Sequence, residues 1–133
     1  MSSAKPLLNF GKESTKRYQE VNDKVFGNQL SNKELFMIAL AIGVHHSSKI
    51  TKFDKAPTGP RTELTDSDLH LLDSVALMDS GKQDELPAPE IRNETAIQYA
   101  EGGIRILHDL VVDKTPEYAR SAFINEFRKS IGR

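Results

Sequence analysis

Residues 31–44 read SNKELFMIALAIGV, and the ten residues from Leu35 to Val44 are all apolar or glycine. The stretch opens with a complete helix-start signature. Ser31 offers its hydroxyl to the free amide of Glu34, Glu34 can reach back to the Ser31 amide, and Leu30 stands where it can staple to Leu35. Around a 3.6-residue period Phe36, Met37, Ile38, Leu40 and Ile42 point in every direction, so no face is left for water. The run falls far short of the roughly 20 apolar residues that cross a bilayer, so its cover must be protein. These residues predict a buried central helix over 31–46.

Upstream, Tyr18, Val21 and Val25 recur at helical spacing and Gly27 supplies a left-handed stop, which predicts a first helix from Lys12 joined to the central one by a short turn. Residues 1–10 read as an extended arm. Its PLLNF segment (6–10) is a short candidate strand that would need a partner from elsewhere.

Downstream, 47–64 (SSKITKFDKAPTGPRTEL) reads as a long loop pinned by Ile50 and Phe53. Thr65 and Asp68 repeat the capping box, with Leu64 placed to staple to Leu69. A third helix follows, with Leu72, Val75 and Met78 as its buried stripe, Leu71 and Ala76 beside it, and Gly81 as its end.

The fourth helix spans Glu90–Val112, with Ile97, Ala100, Ile104, Leu107 and Val111 on one stripe. It carries Gly102 and Gly103 in its middle, each costing a helix about 1 kcal/mol relative to Ala. Such a pair needs a bend, or a neighbour at close range, and packing over Gly43 of the central helix is expected. Thr115 and Pro116 then cap and open a fifth helix with Ala119, Phe123 and Phe127 facing inward. The expected fold is all-α: one domain over 1–133, with five helices around the central one.

A chain of 133 residues suffices for one core. The absence of Cys removes disulfides and thiolate zinc sites, and MSSAKPLLNFGKES lacks the apolar run of a secretory leader, so a cytoplasmic setting is expected. Charge is unevenly placed: residues 1–62 hold 10 Lys and Arg against 5 Asp and Glu, whereas 63–114 hold 4 against 12. Lys12, Lys16, Arg17, Lys49, Lys52, Lys55 and Arg61 are therefore the candidate contacts to a nucleic acid, with Phe53 among them available for stacking.

Three stretches carry a resemblance: SNKELFMIALAIG (31–43), LLDSVALMDSG (71–81) and YAEGGIRIL (99–107). In order and character they resemble a family of small helical proteins encoded beside DNA phosphorothioation gene clusters, the Dnd systems. The most specific match is Tyr99, Ala100, Gly102 and Gly103. After Gly43 the family pattern continues with basic residues, where this chain has His45 and His46. The resemblance implies a prokaryotic accessory protein of a DNA-modification-linked defence system. Its partners would be the other proteins of that system and duplex DNA. It assigns no catalytic residue.

Other chemistry is sparse. His45 or His46 together with His108 and Asp109 suggests a metal-dependent phosphohydrolase, but such a site needs a further aspartate that the sequence does not locate. Asp66, Asp68, Asp73 and Asp79 lack EF-hand spacing, and the first two suit a helix start. His70 lies one turn from Asp66 and close to Asp73, a surface pairing. No phosphate-binding glycine loop, dinucleotide fingerprint or nucleophile elbow occurs. The reading is a non-enzymatic adaptor acting through protein binding, with no cofactor or metal. The alternative is DNA binding, including a ribbon-helix-helix arrangement in which PLLNF would pair with a second copy. Ser31, Glu34, Gly43, Gly102 and Gly103 are structural in either case.

Overall fold

The computed structural model describes residues 7–9, 11–54, 61–81 and 85–130. The helices are α1 (Ser14–Phe26), α2 (Asn32–His45), α3 (Asp66–Ser80), α4 (Pro89–Val111) and α5 (Pro116–Ser130). Two three-residue strands, β1 (Leu7–Asn9) and β2 (Arg61–Glu63), pair antiparallel with Leu8 opposite Thr62. No helix among the described residues is long and apolar enough to cross a membrane.

The helix starts follow local chemistry. At α2 the Ser31 Oγ accepts from the Glu34 amide at 3.2 Å while the Ser31 amide donates to Glu34 Oε1 at 2.9 Å. At α3 the Thr65 Oγ1 and Asp68 carboxylate make the same reciprocal pair, at 3.2 and 2.9 Å. Gly27 and Gly81 end α1 and α3 in the left-handed region, at φ 61° and 74°, where a Cβ would be strained. The α1–α2 turn is locked by buried Asn22, whose side chain donates to the Leu30 carbonyl (3.0 Å) and accepts from the Leu30 amide (3.2 Å).

The core is built on α2 against α4. A Cβ placed on Gly43 would run into the Tyr99 carbonyl and lie 3.1 Å from the Gly103 amide nitrogen; one on Gly103 would run into the Ala39 carbonyl and lie 2.8 Å from the Gly43 nitrogen. The two backbones thus touch where both side chains are missing, and α4 remains one unbroken helix. Opposing order of the contacts, Gly43 with Tyr99 and Ala39 with Gly103, makes α2 and α4 antiparallel. On the other flank Ser14–Glu101, Glu20–His108 and Lys24–Val111 are separated in sequence by 87, 88 and 87 residues, so α1 lies parallel to α4. Phe26, Phe123 and Phe127 then seat α5, with ring centroids 5.0 and 5.5 Å apart.

Three expectations need correction. The N-terminal strand finds its partner within the chain, because Arg61–Glu63 forms β2 rather than continuing the 47–64 loop. A ribbon-helix-helix arrangement would instead take that neighbour from a second copy. Met78 is not in the core stripe: it is 53% exposed, and Leu71 is 49% exposed. Nor is α2 covered on all sides, since Met37, Ile38, Ala41 and Val44 are only half-buried. Phe127 faces inward with Ala119 and Phe123, half-buried and packed against the core's edge.

Replacing Gly103 by Leu should lower stability by at least about 3 kcal/mol or prevent folding, because neither backbone can retreat. Ser31→Ala should cost only about 1 kcal/mol. Chemical denaturation of the two variants measures both, and equal losses would contradict the proposed division.

Candidate functional site

Glu101 follows the Tyr99–Ala100 pair on α4; beside it Gly102 admits the Ser48 carbonyl and Gly103 keeps that turn of helix close to α2. Its own side chain faces α1 and is buried, with only 3% of the residue exposed. An isolated buried carboxylate would be strongly destabilised, so the surroundings must supply donors. The buried Ser14 hydroxyl donates to Glu101 Oε2 at 2.7 Å, and Arg105 Nε, one turn along α4, donates to the same oxygen at 2.7 Å. Arg17 completes the group, donating to Ser14 Oγ at 2.9 Å with its guanidinium 3.7 Å from Oε2. Desolvation, reinforced by the Glu101 charge, pushes the buried Tyr18 phenol well above its ordinary range.

Gly11 sits against the other side of this carboxylate; a Cβ there would collide with Glu101 Oε1 and lie 3.1 Å from the Phe53 ring. The Lys12 amide donates to the Asp54 carbonyl at 2.6 Å, which draws residues 52–54 against the start of α1. A cleft of about 350 Å³ results, lined by Lys12, Glu13, Lys52, Phe53, Asp54, Glu101 and Arg105, with Gly11 at its floor. Its three cations are matched by three carboxylates, so it suits a dipolar group better than a polyanion.

The candidate cations divide accordingly. Lys12 and Lys52 meet at the cleft, and Arg17 supports its base. Lys49 is elsewhere: its ammonium lies 3.0 Å from both oxygens of Asp79 and 5.9 Å from the Tyr99 ring centroid. Lys16 is exposed near Glu20. Lys55 and the Arg61 side chain lie outside the described part. Residues 47–64 therefore do not present one basic stripe among the described residues.

Opposite the cleft, α3 is tied to its surroundings near both ends, by Lys33 to Asp68 (3.4 Å) and by Lys49 to Asp79. Between these ties it stands off from α2. Met37, Leu40, Ala41, Val44, His45, Leu71 and Val75 line an apolar groove of about 230 Å³.

His108 and the His45–His46 pair do not meet. His108 Nε2 lies 2.9 Å from Glu20 on α1, and that contact holds the Glu20 carboxyl below its ordinary range. His46 pairs with Glu126 on α5 at 2.6 Å. Along the antiparallel α2–α4 pair the two sites are about 15 Å apart at 1.5 Å per residue. His70 is exposed on α3.

Residue spacing missed Glu101, Ser14, Arg105 and the contribution of Gly11. The available signal was Glu101 itself, an acid one turn after Ile97 and beside the apolar stripe. A comparison with family models, curated proteins and solved structures found no match to this chain.

Truncating Glu101 to Ala should cost about 3 kcal/mol, since Ser14 and Arg105 lose their acceptor and Arg17 its counter-ion; a loss below ~1 kcal/mol would deny the carboxylate its central place. A second expectation concerns pH. Desolvation, with the Asp79 carboxylate beside it, pushes the Tyr99 phenol up to about 12, and Tyr99 donates to Asp79 at 2.7 Å. A raised phenol contributes stability that is complete below the unfolded value of about 10 and is lost as pH climbs through the folded one. At Asp79 burial opposes ionisation, but the Tyr99 hydroxyl and Lys49 outweigh it and hold the carboxyl below its ordinary range. Its contribution is present above about pH 4 and fades as pH falls through the lowered value. Tyr99→Phe should therefore flatten the alkaline limb of a stability–pH curve while leaving much of the acid limb, and identical alkaline limbs would contradict the assignment.

Proposed function

We propose that this protein is a non-enzymatic adaptor of a DNA-modification-linked defence system of the phosphorothioation type, and that it works by holding a partner protein's amphipathic helix in the α2–α3 groove. The observation that carries the proposal is the unfilled apolar face of the central helix. Met37, Ala41 and Val44 are half-buried, and Leu71 extends their surface outward. An amphipathic helix laid in a groove is a recurring mode of recognition, read through a few apolar anchors.

Charge selects the kind of helix. Asp66 stands at the start of α3, and the segment 63–114 is the acidic part of the chain. A helix with basic residues flanking its apolar anchors complements this rim and is steered to it. The association with phosphorothioation systems rests on the resemblance of residues 31–43, 71–81 and 99–107.

The neutral accounting of the cleft and the pairing of Lys49 and Arg17 with carboxylates favour protein over duplex DNA. Phosphate binding draws its strength from cations free to displace counterions. In a reconstituted pair with a phosphorothioation-system protein, the exposed Leu71→Arg change should weaken binding at least about tenfold while the thermal transition stays put. Plain duplex should show no mobility shift at low salt. A duplex shift that falls steeply with salt and ignores Leu71→Arg would replace the adaptor reading by a DNA-binding one.

A further inference from the structure

The exit of the central helix gathers three side chains whose ligating chemistry the adaptor reading does not use. His45 is the last residue of α2, and His46 is its C-cap, in the bridge region at φ −89° and ψ 1°. Within a helix neighbouring side chains diverge by about 100°. Here the backbone leaves the helix at His46 and turns through Ser47, at φ 52°, so that the two imidazoles come edge to face with centroids 5.0 Å apart. Glu126 arrives from α5, seated there by Phe123 and Phe127 against the core. One ligand atom from each of His45, His46 and Glu126 lies within 4.8 Å of the other two.

We propose that His45, His46 and Glu126 bind a divalent transition-metal ion of the zinc class. Two imidazoles and one carboxylate form a donor set suited to Zn²⁺ and its neighbours rather than to Mg²⁺ or Ca²⁺, which prefer oxygen cages. Around a tetrahedral zinc, with bonds of roughly 2.0–2.2 Å, ligand atoms stand about 3.4 Å apart. The His46–Glu126 distance of 2.6 Å must therefore open by less than about 1 Å, and no pair, all being within 4.8 Å, must close by more than about 1.4 Å. Both histidines are exposed and Glu126 is half-buried, so rotation of exposed rings supplies the adjustment while α5 holds the carboxylate. The pair already seen between His46 and Glu126 orients them before any ion arrives. Three protein ligands leave a coordination position facing solvent, where water or a donor atom of another molecule completes the shell. His45 also borders the α2–α3 groove, so the ion would sit at one end of that surface.

Calorimetric titration of the full chain with ZnCl₂, and with CoCl₂ followed by visible absorption, tests the site. One ion per chain is expected, with a Co²⁺ ligand-field spectrum of nitrogen and oxygen donors in a low-coordinate site. His45→Ala, His46→Ala and Glu126→Gln should each raise the dissociation constant at least about tenfold and lose that spectrum. His70→Ala and His108→Ala should leave both unchanged. The exposed histidine variants should keep the native circular dichroism, which separates lost ligation from lost fold. Absence of binding, an affinity unchanged in the His45→Ala/His46→Ala double variant, or equal losses at His70 or His108 would overturn the assignment. Because neither readout involves a partner protein, failure here leaves the adaptor proposal standing, and failure of that proposal leaves the metal site standing.

Discussion

Everything in this fold hangs on a backbone-to-backbone contact between two helices. Gly43 on α2 and Gly103 on α4 remove the side chains that would hold the axes apart, and each glycine's missing Cβ points at a carbonyl of the other helix. Helices normally pack with 8–10 Å between axes, so approach at a glycine pair is a local exception that demands small residues on both sides. The conformational cost of two glycines in a helix, about 1 kcal/mol each, is offset by burial of the long apolar residues that this approach brings together. Phe36, Leu40, Ile42, Ile104 and Leu107 are all fully or almost fully buried around it.

That contact makes α4 a spine with two chemically different flanks. Tyr99 leaves it toward α3, where its hydroxyl meets Asp79. Glu101 leaves it toward α1, where Ser14 and Arg17 wait. Further along, His108 meets Glu20, and at the end the Lys24 ammonium satisfies the Val111 carbonyl at 3.2 Å, a cation at a helix C-terminus. A polar contact at each level of the α1–α4 interface fixes the register of these parallel helices, which apolar packing alone would leave less specified.

The uneven charge of the chain acquires a different meaning in three dimensions. Along the sequence the basic N-terminal half and the acidic middle look like separate fields. In the fold they interleave: Arg17 meets Glu101, Lys33 meets Asp68 and Lys49 meets Asp79, each joining a residue before position 62 to one after it. The Lys33–Asp68 and Lys49–Asp79 pairs are partly exposed and contribute little individually, whereas Arg17 faces a buried carboxylate.

Local chemistry determined the helices of this protein. Capping boxes at Ser31 and Thr65, glycine stops at Gly27 and Gly81, and Pro116 at a helix start act within one turn, so they can be read from neighbours in sequence. The glycine pair also announced a close approach, because a glycine doublet inside an amphipathic helix has few other uses. Only the tertiary structure decided what lay across the chain. The β1–β2 pairing joins residues more than fifty positions apart, and exposure of Leu71 and Met78 depends on where α3 stands relative to α2. The Glu101 cluster and the His45–His46–Glu126 group each draw side chains from separate helices. Their convergence is set by packing distances and register, quantities that no local spacing encodes.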